Sequence, residues 1–201
     1  MTNVSEKKSL PKKQQAIIDT AESLFQRFGF KRVTVNEICR EAKVSKMTFY
    51  KYFDNKIALV KTLLMNWTED GYNYMDQVNT RDIHITEKIR LLQEFKLKAT
   101  ARMSPEFVGE LFAEDSGLAS FLRETRQKGY QQFMNFLVEA QNKGEMTSKL
   151  QPKFIMLILD KMAELFQDKQ ILSLFPDYVE LTREVFDFIF YGLVGKRKDR
   201  S

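Results

Sequence analysis

With one cysteine (Cys39) and one histidine (His84) among 201 residues, the chain cannot close an intrachain disulfide and has no cluster able to hold a structural zinc or a haem. Long apolar runs are missing too. The longest, residues 154 to 159 and 188 to 191, fall far short of the roughly 20 residues that a membrane helix needs. Residues 1–13 are polar and carry no export signal. The cytoplasm is therefore the expected compartment, and no membrane partner is expected. Four prolines and 8 glycines in a chain that is 43% hydrophobic and 29% charged exclude collagenous and disordered classes and leave one or two ordinary globular domains. A phosphate-binding glycine loop, a nucleophile motif and a second histidine are all lacking, which weighs against an enzyme and calls for no cofactor. Carboxylate-only chemistry stays open, since Asp and Glu abound.

What is present is unevenly distributed. Residues 1–60 hold 12 Lys and Arg against 6 Asp and Glu, a net +6; residues 61–195 hold 16 against 20, a net −4; and the tail restores the total of +5. A basic N-terminal third on a mildly acidic body implies that the first sixty residues meet a polyanion. The competing reading is a solvated lysine-rich surface.

Hydrophobic periodicity is helical throughout, without alternating strands or solenoid repeats, so the fold class is all-α. Ser9 and Pro11 mark the start of a first helix, along which Ile17, Ala21, Leu24, Phe25 and Phe28 recur on one face until Gly29 stops it. Thr34 and Glu37 form a capping box for a short second helix with the face Val35, Ile38, Cys39 and Ala42, and Val33 staples it against Ile38. Ser45 caps a third helix, with Val44 set to pack on Phe49 and Phe53. Asp54 and Asn55 open a longer segment from Lys56 to about Tyr74. Further helices are expected over residues 86–103, 105–112 (capped by Ser104), 118–143, 152–168 and 177–194. The domain division falls at 1–55 and 56–201.

Two short helices three residues apart read as a helix-turn-helix. A recognition helix must pack one face on its own domain and offer the other to DNA. In the third helix Phe49, Phe53 and Tyr52 point inward, whereas Met47, Thr48, Tyr50 and Lys51 take the outer and flanking faces. These types suit the work: Lys46 and Lys51 for phosphate or guanine, Thr48 for a base or phosphate, Met47 for a thymine methyl, and the Tyr50 hydroxyl for phosphate. Ser45, at the cap, completes the DNA-facing set. A small helical hairpin whose basic face meets only solvent is the alternative.

The pattern Ile17, Ala21, Leu24-Phe25, Gly29-Phe30, Thr34-Val35, Ile38, Ala42, Val44-Ser45, Thr48-Phe49-Tyr50, Tyr52-Phe53, Lys56 and Leu59 closely resembles the DNA-binding domain of the tetracycline-repressor (TetR) family of bacterial transcription regulators. The resemblance covers about the first sixty residues. It implies a three-helix DNA-binding domain, a larger helical domain for ligand binding and dimerisation, and a homodimer that represses until a small effector loosens it from a palindromic duplex operator. It also implies phosphate contacts from Thr34, Tyr50, Tyr52 and Lys56, with Lys46, Met47 and Thr48 nearest the bases. Three positions depart from the family pattern. Lys43 stands where glycine is usual, Met47 where a small residue is usual, and Ile57 where an acidic residue is common.

In the body, residues 185–194 are apolar nearly all round and must be buried on more than one side. Val185, Phe188, Ile189 and Leu193, with Phe154, Leu157, Ile158, Met162 and Leu165, are the expected faces of an intersubunit four-helix bundle. Between these segments Trp67, Phe95, Phe107, Phe112, Phe121, Tyr130 and Phe133 are candidates to line a cavity for an apolar or aromatic effector, although core packing is the commoner role of such residues. His84 falls in an exposed loop, and Cys39 on an apolar helix face. A helical enzyme and a protein-binding adaptor with a basic module remain the alternatives to a regulator.

Overall fold

Among the described residues every element is a helix, and several helix starts are set by local capping chemistry. The computed structural model describes residues 10–113, 117–146, 151–166 and 168–194, without the side chains of 112, 119, 128, 163, 169 and 190–194. Ser9 and the side chains of Phe112 and Leu193 thus lie outside the described residues, which contain no strand. The order is α1 (Lys12–Phe28), α2 (Val35–Glu41), α3 (Lys46–Tyr52), α4 (Lys56–Asn79), α5 (Ile85–Thr100), α6 (Pro105–Phe112), α7 (Ala119–Asn142), α8 (Pro152–Ala163), α9 (Lys169–Leu172) and α10 (Tyr178–Val194). No helix among the described residues is long and apolar enough to cross a membrane.

The caps follow the chain's own signals. Thr34 and Glu37 form the complete capping box of α2, Asn55 accepts from the Ala58 N–H at the start of α4, and Ser104 accepts from Phe107 N–H at α6. His84, exposed as expected, caps α5 by accepting from Thr86 N–H. Three helix ends differ clearly from the periodicity. Helix α5 stops at Thr100 rather than at Met103. Helix α4 runs five residues past Tyr74, because Val78 is fully buried and the Lys88 ammonium donates to the terminal Asn79 carbonyl at 2.7 Å. The helix expected over 152–168 ends at Ala163 and passes into a 3-10 turn, Glu164–Phe166. Its expected last residue, Asp168, instead caps α9 by accepting from the Gln170 and Ile171 N–H groups.

The interior is two clusters. The first joins α1, α2 and α3 to the first half of α4 and to α6, through Ile17, Phe25, Phe30, Ile38, Phe49, Leu59, Leu63 and Phe107. It crosses position 56, so the head is welded to the body by apolar packing. The second lies between α5, α7 and α8, through Ile85, Ile89, Phe136, Leu137, Ile155 and Met156. Every buried side-chain polar atom among the described residues has a partner, as burial demands.

Candidate nucleic-acid interface

The site is built on the junction of α2 and α3. At the end of α2 the Val44 N–H donates to the Cys39 carbonyl (3.0 Å) and the Lys43 N–H to Arg40 (3.2 Å), the two bonds of a Schellman motif. That motif puts its central residue in the left-handed region, and Lys43 has φ 54°. The sharp turn then delivers Ser45, whose Oγ accepts from Thr48 N–H (3.1 Å) and lies 3.0 Å from the Thr48 hydroxyl. Phe49 and Phe53 are buried beneath α3 and seat it on the domain.

The opposite face is open. Ser45, Lys46, Met47, Tyr50 and Lys51 are exposed, Thr48 is half-buried beside them, and Met47 is 82% exposed. The Tyr50 ring meets Phe49 edge to face at 5.3 Å, which limits its freedom without engaging its hydroxyl. Tyr52 is half-buried against the first cluster, with the Lys51 ammonium 5.8 Å from its ring centre. Two residues expected at phosphate are occupied within the protein. The Thr34 hydroxyl donates to Glu37 (2.8 Å), and the Lys56 ammonium donates to the carbonyls of Lys31 (2.9 Å) and Val33 (2.7 Å). Their observed work is to fix the turn between α1 and α2. Hydrogen bonds from Thr34 hold the Glu37 carboxyl below its ordinary pKa, and burial pushes the Lys56 ammonium down against the opposing pull of Glu110 and Glu37.

The same turn is gripped from the body. Glu110 on α6 accepts from the backbone N–H groups of Phe30 (2.6 Å) and Lys31 (2.8 Å), and Ser104 N–H donates to Gln26 (2.7 Å). No local pattern pointed to Glu110, because its partners stand about eighty residues away in the sequence.

The aromatic residues named for an effector cavity do not stand together. Trp67 donates to Glu22 (3.0 Å) and meets Phe107 edge to face, and Phe107 is fully buried in the first cluster beside Phe121. Tyr130 and Phe133 pack on the second cluster. The Tyr130 hydroxyl donates to Asp160 (2.5 Å), which with burial pushes its pKa up to about 12. Phe95 stacks on Tyr74 at 4.5 Å. A cavity of about 10 Å³ near Asn79 and Phe136, and a groove of about 270 Å³ between Phe28 and Arg40, are walled by none of the described ones. Of the residues assigned to a dimer face, Phe154, Leu157, Ile158 and Phe188 are exposed, whereas Met162, Leu165, Val185 and Ile189 are half-buried. No group of three or more His, Cys, Asp or Glu able to hold a metal occurs among the described residues.

A basic three-helix head with an outward third helix, on an all-helical body, has the architecture of a helix-turn-helix domain joined to a helical body. Residues 17–63 match the family model of bacterial regulatory proteins, tetR family. The chain is 38% identical over 79 residues to the HTH-type transcriptional regulator YuxN of Bacillus subtilis, a stretch that is 39% of this chain and 25% of that protein. The matched stretch thus spans about a quarter of that curated relative. Over nearly the whole length the fold is shared with solved regulators. The fatty acid degradation regulator FadR of Bacillus halodurans superposes with a TM-score of 0.71 at 21% identity, covering 96% of this chain and 100% of that one. FadR of Bacillus subtilis, solved in complex with stearoyl-CoA, gives 0.69 at 20% identity over 89% of this chain and 98% of that one.

Proposed function

We propose that the protein is a ligand-responsive transcriptional repressor, not an enzyme, that binds a palindromic duplex operator as a homodimer and is released by a small effector. The observation that carries this reading is the face of α3, which presents Lys46, Met47, Thr48, Tyr50 and Lys51 from a helix capped by Ser45 and seated on Phe49. Residues 1–55 serve as the DNA-binding domain and 56–201 as the effector-binding and dimerisation domain. Lys46, Met47 and Thr48 read base edges. Tyr50, Lys51 and Tyr52 hold phosphates, with Thr34 and Lys56 bracing the turn behind them. Dimerisation uses the exposed apolar side chains Phe154, Leu157 and Ile158 of α8 and Phe188 of α10, since exposed apolar surface of this kind marks an interaction site. That the same fold in Bacillus subtilis FadR holds stearoyl-CoA supports a helical body able to house a small molecule.

An effector weakens DNA binding only by preferring another arrangement of the body. Glu110 on α6 and Lys56 at the start of α4 both hold the turn before α2, Glu110 through the Phe30 and Lys31 amides and Lys56 through the Lys31 and Val33 carbonyls, so a shift of either helix is felt by the head. The test is selection of bound sequences from random duplexes, followed by titration of the recovered site at several salt concentrations. An approximate palindrome is expected. A dimer making about 6 to 10 phosphate contacts should lose about 10³- to 10⁵-fold in affinity between 50 and 200 mM salt. Recovery of no preferred sequence, or affinity indifferent to salt, would overturn the reading.

A further inference from the structure

Glycines aside, Lys43 is the one described residue whose backbone lies in the left-handed region. A Cβ there crowds the following carbonyl, so such positions suit glycine and, less freely, asparagine. The turn has no way round this conformation. The Val44 N–H is bound to the Cys39 carbonyl, and Ala42 and Val44, on either side, pack against the first cluster. The surrounding structure therefore over-determines the backbone of Lys43, and its strain persists. With both neighbours turned inward, Lys43 is the exposed residue of the three.

Within the protein this side chain has no partner to offset the strain. Its ammonium makes no hydrogen bond or ion pair among the described residues. Arg40, the neighbouring cation at the end of α2, is already paired with Glu41 at 3.3 Å. The negative end of a helix as short as α2 offers an exposed ammonium only a small, screened attraction. Strained residues of this kind cluster at sites of function.

The place of Lys43 in the fold supplies one. Two residues, at most about 7 Å of backbone, separate it from Ser45, the cap of α3. The major groove, about 12 Å wide, admits one helix and little more. A helix entering by its N-terminus therefore has a sugar-phosphate strand directly beside its cap. Under the proposed function Lys46, Met47 and Thr48 meet base edges, whereas a residue set back from the cap falls at the rim, where phosphates are presented. A lysine ammonium suits that place as a point charge. We propose that Lys43 binds a phosphate of the strand bordering the N-terminus of α3, so that the strained turn is kept for DNA affinity although it lowers stability. This deepens the DNA-binding reading of the head and rests on it.

The test joins urea unfolding to duplex titration of the full chain over a salt series, for wild type, Lys43→Gly, Lys43→Asn and Lys43→Arg. Two duplexes serve as probes, the one recovered by selection and a scrambled one of equal length. Lys43→Gly and Lys43→Asn should raise the urea midpoint and yet weaken both duplexes alike, by about tenfold per head at about 100 mM salt. The slope of log affinity against log salt should become shallower by about 1 per head. Lys43→Arg keeps the charge and should keep affinity and slope. A lower midpoint in Lys43→Gly would give the lysine a structural role, an unchanged slope would remove it from the phosphates, and a loss confined to the selected duplex would make it a base reader. Each of these overturns the proposal, as does a loss in Lys43→Arg equal to that in Lys43→Gly. Wild type that binds neither duplex overturns the regulator reading together with this proposal, whereas duplex binding with an unchanged slope in Lys43→Gly overturns this proposal alone.

Discussion

Lys43 sits at φ 54° in the turn between α2 and α3, where a side chain costs about 1–2 kcal/mol of steric strain and glycine instead loses about 0.5–1 kcal/mol of extra chain entropy. Strain exceeds entropy, so Lys43→Gly should stabilise the protein by about 0.5–1 kcal/mol, read as a higher urea midpoint at unchanged slope. A lower midpoint would mean that this exposed lysine makes contacts that outweigh its strain. On α3, base and phosphate contacts separate by readout. Thr48→Ala should alter the selected sequence, costing about 1–3 kcal/mol of discrimination at the base pair it reads. Tyr50→Phe should weaken all duplexes alike, by about tenfold for one lost bond to a charged oxygen. Reversal of those two outcomes would reverse the assignments. Residues acting through neighbours three or four positions away were readable before any coordinates: the Thr34 and Glu37 box, the Ser45, Asn55 and Ser104 caps, and the burial of Cys39. Glu110 was not, because its partners lie about eighty residues away in sequence.

Helices α1, α2, α4 and α6 meet at the turn joining α1 to α2. Gly29 ends α1 at φ 75° and ψ 163°, a region essentially reserved for glycine, and a Cβ built there would stand 2.7 Å from the Glu110 carboxylate. Gly29→Ala should therefore cost about 1–3 kcal/mol in backbone conformation alone and also push Glu110 off the Phe30 and Lys31 amides. Expected results are a lower urea midpoint and weaker duplex binding; wild-type stability would show that the clamp is dispensable. Elsewhere in the chain, helix boundaries escaped the periodicity for local reasons. Periodicity registers which face is apolar, and α4 keeps its face through Val78 without an interruption that a sequence window detects. It does not register that the Asp168 carboxylate turns back on the amides of Gln170 and Ile171, because an aspartate reads alike on a helix surface and at a cap. The aromatic residues mislead for a related reason. Their spacing announces burial, yet Phe107 and Trp67 went to the seam between head and body, and Phe133 to the second cluster.

At the scale of the whole molecule, the proposed function gives each head only a few base pairs to read, so useful specificity needs two heads at half-sites about 34 Å apart. A two-fold axis supplies them when one surface patch pairs with its own copy. The faces of α8 and α10 are suited to this. Leu157 is 60% exposed and Phe188 71%, with Phe154 and Ile158 beside Leu157 at helical spacing, while Ile189 turns inward against the second cluster. The division matters for a test, because charges at Leu157 and Phe188 disturb the outer face and leave the core intact. Leu157→Lys with Phe188→Asp should give a folded monomer by sedimentation, with the wild-type helical spectrum. Losing the second head removes the intramolecular advantage of bivalent binding, so affinity for the full palindrome should fall by on the order of 10²-fold or more. Affinity for an isolated half-site should hardly change. A folded monomer that kept wild-type affinity for the palindrome would refute the dimeric mechanism, and wild-type protein sedimenting as a monomer both with and without its duplex would remove the need for it.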